Sequence, residues 1–160
     1  MIEAVCCLQC QYFGIWAYPN RETGMNLSGK KFDFGLPVFE DWLAAVNMQN
    51  MEALMQLYND KAMMIPAFST RIRRNKYQIQ DLYQGLFAKR QKLQIIPFQV
   101  SSQKIDQLEV DSGQLKITWN ADKPEDTNDL RFSFIIKEGE IMGHHESLEP
   151  GEIAKISQLK

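Results

Sequence analysis

The amino-acid sequence predicts an α+β protein in which helices precede an antiparallel sheet. Apolar residues recur at helical spacing between residues 37 and 92. From residue 94 onward, apolar and polar residues alternate with the period of two that is typical of strands. Because the helices of an α+β domain are segregated to one side of its sheet, we expect the helices to cover one face of this sheet.

Three helices are predicted between residues 37 and 92. The first begins near Pro37, because proline lacks the N–H that has no partner in a first helical turn, and it carries Trp42. Asn50 is expected to cap a short second helix that has Tyr58 on its apolar side. Asn75 and the glutamine three residues later resemble a capping box that opens the third helix. The apolar stripe of the third helix consists of Ile79, Leu82, Tyr83, Leu86 and Phe87.

Several extended segments are bounded by turn residues. One turn is predicted at Ser112-Gly113, and a hairpin turn is predicted at Glu138-Gly139. Glycine suits both positions because it accepts the positive φ that tight hairpin turns require. The strand candidates are residues 62–66, 94–101, 104–110, 114–120, 130–137 and 141–148.

The last predicted hairpin carries the only two histidines of the chain, His144 and His145. Neighbouring residues of a regular strand point to opposite faces, so these two side chains cannot both bind one metal ion. With a two-residue loop at Glu138-Gly139, Arg131 lies opposite Glu146. A loop one residue longer puts His145 on the face of Arg131 instead. The pattern of residues leaves both registers open.

Composition and charge argue against several classes of function. The chain has 18 lysines and arginines and 20 aspartates and glutamates, which gives a net charge of −2. This balance argues against nonspecific binding to nucleic acid or to an anionic membrane. No apolar run approaches the roughly 20 residues that span a bilayer. We interpret the arginines of one short polar segment, Arg71, Arg73 and Arg74, as part of a solvated loop rather than as a nucleic-acid site.

The first 35 residues differ in character from the rest of the chain, and we interpret them as an arm that is partly disordered or packs on a partner. They contain all three cysteines, Cys6, Cys7 and Cys10. Two of these have C-x-x-C spacing, but no second pair of ligands completes a zinc site, so we interpret them as incidental thiols. The terminus lacks the basic residues of a secretory signal, which predicts a cytoplasmic protein.

Two segments resemble a known superfamily. From about Val38 to Pro150 the chain resembles the nuclear transport factor 2-like superfamily, also called SnoaL-like or cystatin-like cone proteins. FEDWLAAVNMQNMEALMQLYNDKAMMIPAF (39–68) resembles the opening segment of the superfamily. RFSFIIKEGEIMGHHESLEP (131–150) resembles the ending of a bacterial branch related to the association domain of calcium/calmodulin-dependent protein kinase II.

The second segment departs from the pattern of that branch in two places. In the branch, the penultimate strand begins with Arg-aromatic and the last strand ends in a His-His-Ser-Ser-x-x-Pro type of motif. Here Glu146 stands where a serine is usual, and the connecting turn is one residue shorter. The shorter turn bears directly on which histidine shares a face with Arg131.

The resemblance implies a fold and an assembly. It implies a curved antiparallel sheet wrapped around about three helices, so that residues 36–160 form a cone with an open end and a pocket. It also implies dimers or larger rings that form through the sheet. The expected partners are therefore a second copy of the chain and a small molecule, with no nucleic acid, no membrane and no cofactor.

The resemblance also implies a function. We expect a small-ligand-binding and oligomerisation domain in which Arg131 lies inside the cone and binds a small, partly apolar carboxylate, because a guanidinium binds carboxylate bidentately. The pocket is expected to include His145, Trp42, Tyr58 and Tyr83, although aromatic residues at helical spacing are also typical of an ordinary core. We assign no catalytic residue to this function.

An enzyme is the alternative. In the ketosteroid-isomerase or polyketide-cyclase type of reaction, a pocket histidine or carboxylate abstracts a proton beside a carbonyl. His145 is the residue we expect to act as the base in that case.

Overall fold

The computed structural model describes residues 34–90, 92–123 and 125–151. The helices are α1 (Pro37–Asn47), α2 (Met51–Gln56) and α3 (Lys76–Lys89). The strands are β1 (Tyr58–Ile65), β2 (Gln94–Ile105), β3 (Leu108–Thr118), β4 (Thr127–Lys137) and β5 (Glu140–Leu148). The proposed N-terminal arm, with its cysteines, lies outside the described residues except for residues 34 and 35.

The strands form one curved five-stranded sheet in the order β1-β5-β4-β3-β2. β1 runs parallel to β5, whereas every other neighbouring pair is antiparallel. The predicted α+β class with a curved sheet is confirmed. The sheet is mixed rather than wholly antiparallel, because β1 lies between α2 and α3 in the chain and pairs in parallel with β5. No helix among the described residues is long and apolar enough to cross a lipid bilayer.

Two predicted helix caps are present. The Asn50 side chain accepts a hydrogen bond from the Ala53 N–H at 3.1 Å, and the Asn75 side chain accepts one from the Gln78 N–H at 3.0 Å. The side chain of Gln78 in turn accepts a bond from the Arg74 N–H at 2.9 Å. These bonds satisfy backbone donors that have no partner within the helix, which fixes where α2 and α3 begin.

The position of Tyr58 differs from the prediction. Its spacing placed it on the second helix, but α2 ends at Gln56 and Tyr58 begins β1. There it pairs with Ile141 of β5, and the Ile141 N–H donates to the Leu57 carbonyl at 2.7 Å. Pairing with the sheet therefore overrides the helical periodicity, and the buried ring of Tyr58 reaches the core from the sheet.

The turn predicted at Ser112-Gly113 is wrong. β2 and β3 form one long hairpin whose turn lies near Asp106, a residue with a φ of 54° that short polar side chains tolerate. Gly113 lies inside β3, and a Cβ atom there would come within 2.0 Å of the Gln99 carbonyl oxygen. The glycine is required because the irregular register of β2 after Pro97 brings the two backbones together.

The last hairpin has the predicted turn but a different register. Glu138 and Gly139 have φ values of 53° and 80°, as a two-residue turn requires. The register then shifts by one residue at Met142, which is a β-bulge. As a result Arg131 pairs with Ser147 rather than with Glu146, and Phe134 pairs with His144.

Aromatic rings fill the space between α1 and the inner face of the sheet. Phe39 of α1 stacks on Phe132 of β4 with ring centroids 4.9 Å apart, and Trp42 meets Phe134 edge to face at 5.2 Å. Such pairs contribute about 0.5–1.5 kcal/mol each beyond the area they bury. This packing holds Trp42 over the centre of the sheet, where the ring of His144 lies 5.5 Å from it.

Candidate functional site

Polar side chains from four elements meet on the inner face of the sheet, in a group that we call the inner polar cluster. Its members are Trp42 of α1, Tyr58 of β1, Tyr83 of α3, and His144 and Glu146 of β5. The first four are at most 3% exposed, whereas the side chain of Glu146 is 11% exposed. Glu146 is therefore the member nearest to solvent.

A continuous set of hydrogen bonds connects the cluster. The Trp42 indole N–H lies 3.1 Å from the Tyr58 hydroxyl and 3.2 Å from that of Tyr83, and it donates to both. The two hydroxyls are 3.3 Å apart. The Tyr58 hydroxyl also lies 2.8 Å from Nδ1 of His144, the shortest contact of the cluster. Buried polar groups that satisfy one another in this way fix each other's position.

The bonding of Tyr58 indicates which tautomer His144 adopts when neutral. The Tyr58 hydroxyl accepts from Trp42 and can accept from Tyr83, so its own proton is free for Nδ1. The proton of the imidazole then lies on Nε2. This atom is 3.3 Å from Oε1 of Glu146, but it is buried and makes no hydrogen bond of good geometry to a described residue. The space between His144 and Glu146 is thus where the bonding of the cluster is incomplete.

The two tyrosines position other groups and do not act as bases. Burial raises the pKa of Tyr58 well above its usual value, and the negative charge of Glu146 adds to the rise. Burial likewise raises the pKa of Tyr83, with further contributions from Tyr58 and Glu146. Both phenols therefore stay protonated near neutral pH, so neither can act as a base there.

The structure corrects the expected positions of Arg131 and His145. Both are exposed and lie on the outer face of the sheet, away from the inner polar cluster. The Arg131 side chain is 49% exposed and its Nε lies 3.4 Å from Oε1 of Glu149. Two features cause this arrangement. Arg131 alternates with the buried Phe132 of β4, and the bulge at Met142 turns His145 to the same outer face.

Trp42, Tyr58 and Tyr83 do lie together inside the cone, but the histidine that joins them is His144. The sequence reasoning also missed Glu146 as a member of the site. A signal for both was available in the spacing of β5, because His144 and Glu146 precede Leu148 at intervals of two, and Leu148 packs against the core. The bulge at Met142 breaks the alternation between the turn and His144, so counting along β5 from Glu138-Gly139 places the other histidine on the inner face.

A second acidic group lies on the inner face. Asp111 of β3 is 0% exposed, and neither carboxylate oxygen makes a hydrogen bond with a described residue. Burial raises the pKa of Asp111, and the negative charge of Glu109 adds to the rise, whereas the side chain of Ser102 on the neighbouring strand opposes it without reaching hydrogen-bond geometry. Asp111 pairs with Phe134, which pairs with His144, so two strand spacings or about 10 Å separate Asp111 from His144 at their Cα atoms. Among the described residues, no three His, Cys, Asp or Glu side chains group as metal ligands.

Comparison with known families identifies the domain. A family model for the SnoaL-like domain matches residues 36–140, which is more than half of the chain. The chain belongs to the SnoaL-like domain family. The match includes Trp42, Tyr58 and Tyr83 but ends before His144 and Glu146. No curated protein matches the chain.

Solved structures share the fold of this SnoaL-like domain. One is a candidate calcium/calmodulin-dependent protein kinase II association domain from Xanthomonas campestris, with a TM-score of 0.61, 23% identity, and coverage of 71% of this chain and 84% of the other. A candidate polyketide cyclase from Sinorhizobium meliloti has a TM-score of 0.52, 14% identity, and coverage of 69% and 94%. A candidate dehydratase of the nuclear transport factor 2-like family from Streptomyces avermitilis has a TM-score of 0.61, 9% identity, and coverage of 71% and 91%.

The family match confirms the predicted superfamily, and the solved structures confirm the predicted fold. One fold can host many unrelated functions, so the chemistry of this chain depends on its own residues.

Proposed function

We propose that this domain binds a small, partly apolar molecule on the inner face of the cone, with Glu146 and His144 as its polar contacts. One observation carries the proposal. His144 is held by Tyr58 at 2.8 Å on one side and faces Glu146 at 3.3 Å on the other, and Glu146 is the least buried member of the inner polar cluster. A fixed, incompletely bonded polar pair among aromatic rings is typical of a small-molecule site.

The ligand would enter at the end of the sheet where β1 and β5 finish. Glu146 lies near this end, and its Oε2 is 3.5 Å from the Ala67 N–H in the segment that follows β1. The next residue, Phe68, meets Trp119 edge to face at 4.8 Å across the same end. Phe68 is 47% exposed, so this contact can be replaced by an apolar ligand at small cost in buried area.

The charges of the site favour a ligand without a carboxylate. The inner polar cluster contains the acidic Glu146 but neither lysine nor arginine, so an anionic ligand would be repelled unless His144 were protonated. A hydroxyl or carbonyl group can bond to both members of the pair. The small carboxylate that we expected to bind at Arg131 would instead contact the outer face, where it competes with Glu149.

Proton transfer is a second candidate function. Glu146 is placed to act as a base. It lies next to His144, and Tyr58 in turn holds His144 in position. In this scheme Glu146 removes a proton from carbon beside a carbonyl, and the Nε2–H of His144 donates to the carbonyl oxygen on which charge develops. The negative charge then passes from the carboxylate to the enolate, and the proton returns from Glu146 to a carbon of the product.

We also propose that two or more copies associate through the outer face of the sheet. Exposed apolar side chains from four strands lie on this face, which is unusual for a surface that faces only water. They are Met63 and Ile65 of β1, Ile105 of β2, Leu108 of β3 and Ile135 of β4. The likeness to a candidate association domain supports the same arrangement.

Calorimetry with a matched pair of probes tests the binding proposal. 4-Ethylphenol and 4-ethylbenzoate have similar apolar bodies, but only the second is an anion at neutral pH. The phenol is expected to bind more tightly, and Glu146→Gln should weaken it roughly tenfold through loss of a charged acceptor. Glu138→Gln, which changes an exposed acid in the turn at the opposite end of β5 from Glu146, should have no effect. A benzoate that binds as tightly as the phenol would contradict the proposal.

Isotope exchange tests the enzymatic candidate separately. In D2O, the protein should accelerate exchange of the protons beside the carbonyl of 4-phenyl-2-butanone, as measured by proton NMR. The rate should fall in Glu146→Gln and His144→Gln but not in His145→Gln. If the wild-type rate equals that of buffer while the phenol still binds, the enzymatic candidate fails and the binding proposal stands.

A further inference from the structure

A groove of about 670 Å³ lies between α3 and the segment that leads into it. One wall consists of residues 70–74 and carries Arg71, Arg73 and Arg74. The other wall is formed by Gln78, Asp81 and Leu82 of α3. We call this feature the arginine groove. It is separate from the inner polar cluster, with which it shares no residue.

The three guanidinium groups lack acidic partners within the described part of the chain. Arg73 donates to the Ser69 hydroxyl at 3.4 Å, but none of the three forms an ion pair with a described residue. By contrast, Arg90 and Arg131 each lie within ion-pair distance of a carboxylate. Three positive charges thus share one groove in a protein whose net charge is −2.

The backbone that presents these arginines is firmly held. Arg73 and Met64 exchange two backbone hydrogen bonds of 2.8 Å each, which ties the segment to β1. The Arg74 N–H donates to the Gln78 side chain at 2.9 Å, which ties the segment to the first turn of α3. Bonds on both sides limit the freedom of the arginines, so little backbone order has to be gained when a ligand binds.

The chemistry of the groove matches an anion. A guanidinium offers two parallel N–H donors to the oxygens of a carboxylate or a phosphate. The N-terminal end of α3 adds a partial positive charge near the same place. Asp81 stands on the opposite wall and opposes simple anions, so the groove suits a ligand whose anionic group is turned towards residues 70–74.

We propose that the arginine groove is a binding site for the carboxylate or phosphate group of a small ligand. The arginines that carry it are Arg71, Arg73 and Arg74, and Asp81 limits the affinity for an anion that has no further polar group. This site is independent of the function proposed for the cone, since its ligand need not reach Glu146 or His144.

Titration with inorganic phosphate and, separately, with succinate tests the proposal by calorimetry. At least one of the two anions is expected to bind the wild-type protein, more weakly as salt is added. The double variant Arg71→Gln with Arg74→Gln should raise the Kd at least about tenfold, because two charge-assisted contacts are lost. Arg131→Gln, which removes an arginine from the outer face, should leave the Kd unchanged. The anion that binds more tightly shows whether the groove prefers a phosphate or a carboxylate group.

A third variant makes the test more specific. Asp81→Asn should tighten binding of the same anion by roughly two- to fivefold, as removal of an exposed opposing charge implies. Because all of these side chains lie at the surface, circular dichroism should show an unchanged fold for each variant. Absence of binding by both anions, or a double variant that binds as the wild type does, would overturn the proposal.

Discussion

The hydroxyl of Tyr58 lies 2.8 Å from Nδ1 of His144, and both side chains are buried. This contact joins the first strand of the sheet to the last one along the chain, at a point where Met64 and His144 are also paired through their backbones. The imidazole is therefore fixed from the sheet and from the helices that hold Trp42 and Tyr83. A histidine held in this way can present its second nitrogen to Glu146 without losing side-chain entropy when a ligand binds.

The two histidines should differ in their effect on stability, because His144 lies on the inner face of the sheet and His145 lies on the outer face. His144→Gln should lower the free energy of unfolding by about 2–3 kcal/mol, because a buried hydrogen bond is lost and Tyr58 loses its acceptor. His145→Gln should change it by less than about 0.5 kcal/mol, since His145 is exposed. Urea unfolding followed by fluorescence measures both values. Equal effects of the two substitutions would contradict the assignment of His144 to the core.

The buried tyrosines make the stability sensitive to alkaline pH. Burial raises the pKa of Tyr58 and of Tyr83 in the folded protein, whereas in the unfolded chain both keep the ordinary value of 10.0. Above that value the unfolded state loses protons that the folded state retains, so stability falls as pH rises further. Below the ordinary tyrosine pKa, the contribution of the two buried phenols to stability is fully present.

Tyr58→Phe should therefore flatten the alkaline loss of stability, although it destabilises the protein by about 1–3 kcal/mol at neutral pH by removing a buried bond. Tyr77→Phe is the matched control, because Tyr77 is 76% exposed. Thermal unfolding between neutral pH and pH ~11, a range that includes the ordinary tyrosine pKa, measures the slope of stability against pH. A slope that is the same in both variants would be inconsistent with buried, neutral phenols.

Asp111 should destabilise the fold when it is ionised. Burial raises its pKa in the folded state, so the folded protein holds a proton that the unfolded chain has already lost. The contribution of Asp111 to the free energy of unfolding falls as pH rises through its pKa in the folded state. That contribution recovers as pH falls towards the ordinary aspartate pKa.

Asp111→Asn removes the cost of burying an ionised carboxylate and should stabilise the protein at neutral pH by about 1 kcal/mol. It should also remove the gain in stability that the wild-type protein shows on mild acidification. Asp106→Asn, in the exposed turn between β2 and β3, should keep the wild-type dependence on pH. Thermal unfolding from neutral pH down to the ordinary aspartate pKa of 3.8, where the contribution of the raised pKa begins, measures both effects. A destabilised Asp111→Asn variant with unchanged pH dependence would show that the carboxylate is bonded in the folded state.

The outer face of the sheet provides a test of assembly. Ile135→Lys places a charge at the centre of the exposed apolar side chains on β1, β3 and β4, which should dissociate a dimer or ring into monomers. Tyr77→Lys places the same charge on the exposed side of α3 and should leave the assembly intact. Light scattering reports the mass of each variant. A wild-type protein that is monomeric at all concentrations would contradict association through this face.

Much of the fold could be predicted because local signals agree with the final structure. The caps at Asn50 and Asn75 and the turn at Glu138-Gly139 depend on neighbouring residues alone, and each is present. The alternation of β4 likewise matches the burial of Phe132 and Phe134.

The candidate site was less predictable because it depends on pairings between distant residues. The bulge at Met142 reverses which histidine faces inward, and only the pairing of β5 with β4 reveals it. Gly113 resembles a turn residue in the sequence, but its small size serves a close approach to Gln99 of the neighbouring strand. The alternation of β4 predicts an outward-facing Arg131, whereas the resemblance to a family predicts an inward-facing one, and the structure agrees with the alternation.

The imidazole signals of the protein test whether a ligand contacts His144 and Glu146 inside the cone. The chain has two histidines, so His144 and His145 give separate sets of ring proton and nitrogen resonances that the single-histidine variants assign. During titration with 4-ethylphenol, we expect the His144 signals to shift while those of His145 stay in place. A shift of His145 alone, or no shift of His144 at saturating phenol, would show that the ligand does not bind at His144.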